Sequence, residues 1–298
     1  MTAALIPPGL IPPALLARLE RLQLSNRRRL AGGLAGEHRS TRHGSSLDFA
    51  DFRQYYPGDD LRRLDMNALA RLDRLLIKLF EAEDDLTLRL LIDTSGSMAG
   101  PKLQRAKQVA AAIGFVSLVR RDIVTVHLLP VGARPSSPRF RGRSAQPAFF
   151  AYLAGLQAQG PSGLSAAADA VLAQPGPPGL TVVLSDFLMP EWEAGIQRLP
   201  ARRGEFAVVH VLDRADLDPG VNPDLIGDLE LVDRETGERV EVSLSAAAID
   251  RYRRLATEWA DEVAGRARVN GGSYLRVFSD DDLEHTLLGR ARTSGLLR

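Results

Sequence analysis

The sequence predicts an α/β fold, a doubly wound and mostly parallel sheet flanked by helices, with an N-terminal β-rich or mixed extension. Strand-like and helix-like segments alternate from residue 86 onward. The segments 88–92 and 179–186 are mostly apolar and rich in branched residues, which is typical of strands buried in a parallel sheet. Between them, residues 102–121 carry apolar side chains at three- and four-residue steps, which indicates a helix.

The composition is that of an ordinary soluble protein, and it excludes several kinds of chemistry. The chain has 298 residues, 45% hydrophobic and 25% charged, with a formal net charge of +1. That balance gives no global electrostatic case for binding nucleic acid or anionic membranes. The absence of cysteine excludes disulfides, thiolate zinc sites and a cysteine nucleophile, and it fits a reducing compartment.

The N-terminal region is predicted to be neither a secretory signal nor a membrane span. It is apolar, but it lacks a basic region at its start and is interrupted by prolines at 7, 8, 12 and 13. We therefore expect a cytoplasmic protein. Residues 14–30 follow as an amphipathic helix that ends in the basic cluster Arg27–Arg29, interpreted as a solvated face, and residues 31–46 as a loop.

The chain is predicted to divide at residue 86. Residues 1–85 would form an N-terminal helix and a segment that packs on the core, and residues 86–298 the sheet domain, with a hairpin inserted around 228–242. Aromatic residues precede a turn at Pro57, after which Asp59 and Asp60 can cap the next segment. The other predicted elements are strands at 75–80, 122–129, 205–212 and 274–278, helices at 148–157, 191–202, 249–268 and 280–290, a loop that opens an alanine-rich helix within 160–173, and an irregular hairpin or loop at 130–147.

A group of oxygen-bearing side chains follows the first strand of the predicted sheet. Asp93 ends the strand, and Ser95 and Ser97 follow at alternating positions in a glycine-containing loop. Open α/β sheets bind ligands at the carboxyl ends of their strands. A carboxylate with two hydroxyls is a hard ligand set that suits Mg²⁺ or Mn²⁺, although it leaves the cation short of negative charge. Asp186, at the end of a second strand, can supply another carboxylate.

The Asp-x-Ser-x-Ser pattern resembles the metal-ion-dependent adhesion site (MIDAS) of von Willebrand factor type A domains. In those domains a second loop, often Gly-Gly-Thr-x-Leu, adds a threonine hydroxyl. The stretch 160–164 aligns with that loop and places Ser162 at the threonine position, with Ser165 as the competing candidate. Serine keeps the oxygen but lacks the methyl group that restricts the threonine rotamer. The resemblance therefore implies a site made of Asp93, Ser95, Ser97, Ser162 and Asp186.

A longer pattern resembles the bacterial "domain of unknown function 58" family and covers the chain from about residue 30 to its C-terminus. One departure is Met66, where the family commonly has tryptophan. The matching residues are Phe52, Arg53, Tyr55, Tyr56, Pro57, Gly58, Asp59, Asp60, Arg62, Asp65, Ala70 and Arg71, followed by Asp93 to Met98.

The resemblance to that family implies a function and a partner. Such proteins typically occur beside MoxR-type AAA+ ATPases, which suggests a non-enzymatic, chaperone-like adaptor for the maturation or remodelling of client proteins. An acidic residue of a protein partner would complete the coordination of the metal. No nucleic acid and no membrane span are expected.

An enzymatic alternative is Mg²⁺-dependent phosphoryl transfer with Asp93 as the nucleophile. Haloacid-dehalogenase-like phosphatases have Asp-x-Asp at this place, with the second aspartate as acid and base. Ser95 occupies that position here and cannot do this near neutral pH. The sequence also lacks a P-loop, a Gly-x-Ser-x-Gly elbow and a His-Glu-x-x-His helix. Gly58, Asp59 and Asp60 could form a second metal site, but a turn followed by a helix cap explains them more simply.

Overall fold

A computed structural model describes residues 7–24, 47–57, 59, 61, 64–82, 86–129, 136–173, 179–201, 204–221, 227–233 and 237–298. The chain separates into two compact units, with a boundary at Leu86. Residues 7–24 belong to the larger unit together with the described residues from 86 onward, whereas the sequence had suggested grouping them with residues up to 85. The reason is that Leu10, Leu15 and Leu19 are buried in the core of the larger unit.

The first helix of the chain is shorter than its amphipathic pattern predicted. Helix α1 is Pro13–Leu19, and the chain then turns so that Leu24 forms a β-bridge with Leu297. The backbone N–H and C=O of Gln23 are hydrogen-bonded to those of Arg298, at 3.0 Å each. Pairing with the C-terminus therefore replaces the predicted continuation of the helix. The cluster Arg27–Arg29 and the predicted loop 31–46 lie outside the described residues.

The smaller unit contains an antiparallel pair of strands, which confirms the predicted N-terminal β-rich or mixed extension. Strand β1, Leu47–Gln54, pairs with β2, Leu76–Ala82, and helix α2, Met66–Leu72, lies between them in the chain. The carboxylate of Asp59 accepts two hydrogen bonds from the Arg53 guanidinium at 2.7 and 2.8 Å and one from the N–H of Tyr56 at 2.9 Å, whereas Asp60, the other predicted cap, lies outside the described residues. The side chain of Asp65 accepts a hydrogen bond from an N–H in the first turn of α2.

The larger unit is built on a six-stranded sheet, which confirms the predicted fold class. Its order is β10-β7-β6-β3-β4-β5, with every pair parallel except β4 and β5. Counted in chain order within this sheet, the arrangement is the 3-2-1-4-5-6 order of doubly wound folds. The strands are β3 Thr87–Ile92, β4 Ile123–Leu128, β5 Phe140–Arg141, β6 Gly179–Ser185, β7 Glu205–Leu212 and β10 Ser273–Phe278.

Helices cover both faces of the sheet, and their residues fall into two buried clusters. Helix α3 packs so tightly that Gly114 has no room for a side chain, because an added Cβ would lie 2.2 Å from Cζ of Phe149. Among the described residues, no helix combines the length and the apolar character that crossing a bilayer requires. The helices are α3 Pro101–Val119, α4 Gln146–Ala154, α5 Leu164–Ala173, α6 Trp192–Arg198, the short α7 Arg214–Leu217, and α8 Ala246–Val269.

Two C-terminal regions differ in detail from their predicted forms. The inserted hairpin consists of β8, Gly227–Val232, and β9, Arg239–Leu244, and both strands are largely exposed. The predicted closing helix at 280–290 is present but shifted: the helical stretch runs without a break over residues 283–293 and contains a π-helical turn at Thr286–Arg290. Leu287 and Ala291 in this stretch, and Leu296 after it, are buried in the core.

Candidate functional site

The predicted site residues lie where three chain segments meet at the carboxyl edge of the sheet. Strands β3 and β6 are neighbours, although about ninety residues separate them in the chain, and each ends in one of the aspartates. After β3 the chain continues to β4 and β5 on one side, and it then returns to β6 on the other side. The pair β3 and β6 is therefore the topological switch point, the place where doubly wound sheets bind ligands.

Asp93 is fully buried at the centre of this site. One carboxylate oxygen accepts the N–H of Ser95 at 2.9 Å, and the other accepts the hydroxyls of Ser162 at 3.0 Å and Ser185 at 2.6 Å. Burial, and to a smaller extent the negative charge of Asp186, raise the pKa of Asp93 above its usual value. Within the described part of the chain, no lysine, arginine or histidine forms an ion pair with this carboxylate.

The loop after β3 brings two more hydroxyls to the same edge. The Oγ atoms of Ser95 and Ser97 are 3.0 Å apart, and the 3₁₀ turn Gly96–Met98 holds them there with Met98 buried beneath. Gly100 then adopts a positive φ of 82°, which favours glycine, before α3 begins at Pro101. A short turn anchored by a buried methionine therefore determines the position of both serines.

The structure distinguishes between the two serines proposed for the second loop. Ser162 donates its hydroxyl hydrogen bond to Asp93, whereas Ser165 lies on α5 and accepts a hydrogen bond from Arg198 at 3.3 Å. The loop that carries Ser162 is attached to the first loop by two backbone hydrogen bonds, from Gly96 N–H to Gly160 O at 3.0 Å and from Gln159 N–H to Thr94 O at 2.6 Å. Ser162 therefore belongs to the cluster around Asp93.

Asp186 lies at the same edge, but its charge is already paired. Its Oδ2 accepts from Lys102 Nζ at 2.8 Å, and the same ammonium lies 3.1 Å from Oδ2 of Asp216. Oδ1 of Asp186 accepts the N–H of Leu188 at 3.1 Å. Burial by itself would lower the pKa of Lys102, but the two carboxylates outweigh it and the pKa is raised.

Sequence reasoning missed three participants, namely Lys102, Ser185 and Asp216. Two of them had a signal in the chain, because Ser185 directly precedes Asp186 and Lys102 stands in the first turn of the helix that follows the serine loop. Asp216 had none. Its side chain is positioned by a capping box at the start of α7, where Oδ2 accepts the N–H of Asp213 at 2.8 Å.

A series of hydrogen bonds through His210 supports the loop that carries Asp186. His210 Nε2 donates to the backbone carbonyl of Asp186 at 3.0 Å, so Nδ1 is the acceptor of the Tyr274 hydroxyl at 2.9 Å. Arg276 in turn donates to that hydroxyl at 3.2 Å. Burial lowers the pKa of His210 to about 3, so the imidazole is neutral. The next residue of the loop, Phe187, is buried with φ at 56°, a conformation that needs such support.

The chemistry of the cluster is that of oxygen ligands around one unpaired carboxylate. Among the described residues, no group of three or more His, Cys, Asp and Glu side chains is placed to hold a metal ion. Hydroxyls would therefore have to supply several of the ligands to any cation bound here. Carboxylate and hydroxyl oxygens suit hard cations such as Mg²⁺.

A doubly wound sheet with a buried aspartate and hydroxyls at its switch point defines an α/β protein with a candidate ligand site at the carboxyl edge of the sheet. Within that class the family can be named. Residues 51–262 match the model described as "Protein of unknown function DUF58", and this chain belongs to that family.

Sequence similarity to relatives from Mycobacterium covers nearly the whole chain. Uncharacterized proteins of Mycobacterium bovis and Mycobacterium tuberculosis are each 30% identical over 280 residues, which cover 91% of this chain and 86% of theirs. Among solved structures, the conserved hypothetical protein BatB from Bacteroides thetaiotaomicron aligns with a TM-score of 0.39 and 13% identity. It covers 70% of this chain and 98% of its own. An aerotolerance-related membrane protein from Bacteroides fragilis aligns with a TM-score of 0.38 and 14% identity, and the alignment covers the same shares of the two chains.

Proposed function

We propose that this chain is a metal-dependent protein-binding adaptor whose site is of the MIDAS type. Asp93, Ser95 and Ser97 would hold Mg²⁺ or Mn²⁺, and Ser162 and Asp186 would bind it directly or through water. The observation that carries the proposal is the environment of Asp93, a fully buried carboxylate surrounded by neutral donors. A buried charge without a compensating ion is costly, and a divalent cation would remove that cost.

The same electrostatics indicate how a partner would bind. A divalent ion held by one unpaired carboxylate and neutral hydroxyls keeps an excess positive charge. The carboxylate of a glutamate or aspartate from another protein would neutralise it in a partly dry interface, where such an interaction is strong. The bound metal would supply this bridge, and the residues of this chain would orient it.

Family analogy suggests the identity of the partner. We take it to be a MoxR-type AAA+ ATPase or the client on which that ATPase acts, with the adaptor working in the cytoplasm in chaperone-like maturation or remodelling. The charge balance of the chain supports a protein partner over nucleic acid.

An affinity pull-down with a purified MoxR-type ATPase tests the proposal. We expect capture by the wild type in Mg²⁺, and loss of capture both in chelator and with Asp93→Ala. Asp250→Ala, which removes an exposed aspartate on α8, is the matched control and should bind normally. Capture that is unaffected by both chelator and Asp93→Ala would overturn the proposal.

A phosphatase assay on the same preparations tests the enzymatic alternative. With p-nitrophenyl phosphate and Mg²⁺ we expect no turnover. Steady turnover that disappears with Asp93→Asn would instead support phosphoryl transfer through Asp93.

A further inference from the structure

The candidate site contains a positive charge of its own, that of Lys102. Its side chain is 5% exposed, and its ammonium group bridges Oδ2 of Asp186 at 2.8 Å and Oδ2 of Asp216 at 3.1 Å. The two site aspartates therefore differ in how their negative charge is compensated. Asp186 is neutralised by a tethered cation, whereas Asp93 is contacted only by neutral donors among the described residues.

We infer that Lys102 makes metal retention depend on the partner's carboxylate. Asp93 and Asp186 together would match the charge of a divalent ion, but the ammonium of Lys102 lies 2.8 Å from Asp186 and offsets part of its charge. Asp216, 3.1 Å from the same ammonium, reduces that offset without removing it. A metal ion bound at Asp93 is then left with positive charge in excess, which an acidic side chain of the partner removes. This inference rests on the proposed function, since it concerns the same metal site.

The surroundings of Lys102 make it a fixed charge. Its backbone lies in the first turn of α3, directly after the loop that carries Ser95 and Ser97. Asp216 also holds the ammonium, and the α7 capping box in turn holds Asp216. A buried lysine with one buried and one half-buried carboxylate partner loses both if it swings away, which is costly in a site of low dielectric.

The charge arrangement couples the two ligands of the site. A metal ion raises the affinity for a carboxylate, and by linkage the carboxylate raises the affinity for the metal by the same factor. Removing the charge of Lys102 should strengthen binding of the metal by itself and reduce the additional effect of a carboxylate. Removing the charge of Asp216 should act in the opposite direction, because Lys102 would then be less compensated.

Isothermal titration of the full chain with Mn²⁺, with and without saturating acetate, tests the inference. We expect Lys102→Met to bind Mn²⁺ at least about tenfold more tightly than the wild type without acetate, which corresponds to about 1.4 kcal/mol. Asp216→Asn should bind more weakly than the wild type. Lys107→Met is the matched control, because Lys107 is also buried on α3 but donates to the backbone carbonyls of Ala154 and Leu156.

The outcomes separate this inference from the proposed function. Tighter Mn²⁺ binding by Lys102→Met, with a smaller gain from acetate, supports the coupling, and a merely damaged site would not bind more tightly. If Lys102→Met binds Mn²⁺ like Lys107→Met or more weakly, the coupling is overturned while the metal site stands. If neither the wild type nor Lys102→Met binds Mn²⁺ in acetate, the metal-dependent function itself fails.

Discussion

His210 should make the stability of this protein fall as the solution becomes acidic. The imidazole is fully buried, and its pKa is about 3 in the folded protein against 6.5 for an ordinary histidine. Below pH 6.5 the unfolded chain binds a proton at this residue, while the folded chain does so only near pH 3. The unfolded state therefore holds more protons in this window, and the free energy of unfolding decreases as the pH is lowered.

The size of the effect follows from the difference between the two pKa values. Each pKa unit corresponds to about 1.4 kcal/mol, so the full contribution is about 5 kcal/mol and is lost completely only below pH 3. Between pH 7 and pH 5 the expected loss is about 2 kcal/mol. His127, whose pKa burial and the nearby Arg89 lower to about 4, should add a separate loss in the same direction.

Urea unfolding at pH 7 and pH 5 measures this directly, with His210→Gln as the test variant. Glutamine does not titrate, so the variant should be less stable at pH 7 but lose about 2 kcal/mol less than the wild type on going to pH 5. His285→Gln replaces an exposed histidine and should follow the wild type. Equal losses for His210→Gln and the wild type would refute the assignment of His210 as a buried neutral imidazole.

Three further substitutions test the charge of the site and the packing of the helices on the sheet. Asp93→Asn should raise the melting temperature in chelator, since an amide removes a buried charge whose raised pKa reflects its burial. It should also abolish the stabilisation by Mg²⁺, which for the wild type is about 2.7 kcal/mol at a hundred times the Kd. Gly195→Ala would place a Cβ 2.4 Å from Cγ of Leu164, and calorimetry should show a loss of about 1–3 kcal/mol; an unchanged melting temperature would contradict that close approach. Phe149→Ala should cost about 3–5 kcal/mol in urea unfolding, because its ring is fully buried among Gly114, Phe140 and Phe150. A loss below 1 kcal/mol would mean that the ring is not packed as described.

Local patterns along the chain were sufficient to predict most of the elements of the larger unit. The apolar run that ends in Asp93 and the helical apolar pattern after it depend only on neighbouring residues. Such local patterns predict secondary structure directly, here β3 and α3. The convergence of Asp93 and Asp186 was also predictable, because the carboxyl ends of parallel strands share one edge of the sheet.

Patterns failed where contacts with distant parts of the chain decide the backbone. Residues 20–24 leave the helical path because they pair with the C-terminus. The closing helix departs from regular α-helical spacing at the π-helical turn Thr286–Arg290. Neither the pairing with the C-terminus nor this turn is visible in the local periodicity.

The sequence by itself determined which side chains could meet at the candidate site, since strand ends, loop composition and the alternation of Asp93, Ser95 and Ser97 are local properties. Only the tertiary structure decided how their charges are shared. It brings Asp186, which follows β6, and Asp216, which lies on α7, to the ammonium of Lys102, and it leaves Asp93 with neutral donors among the described residues. The physical reason is that an ion pair depends on distances of a few ångströms between segments far apart in the chain, and no spacing within one segment encodes them.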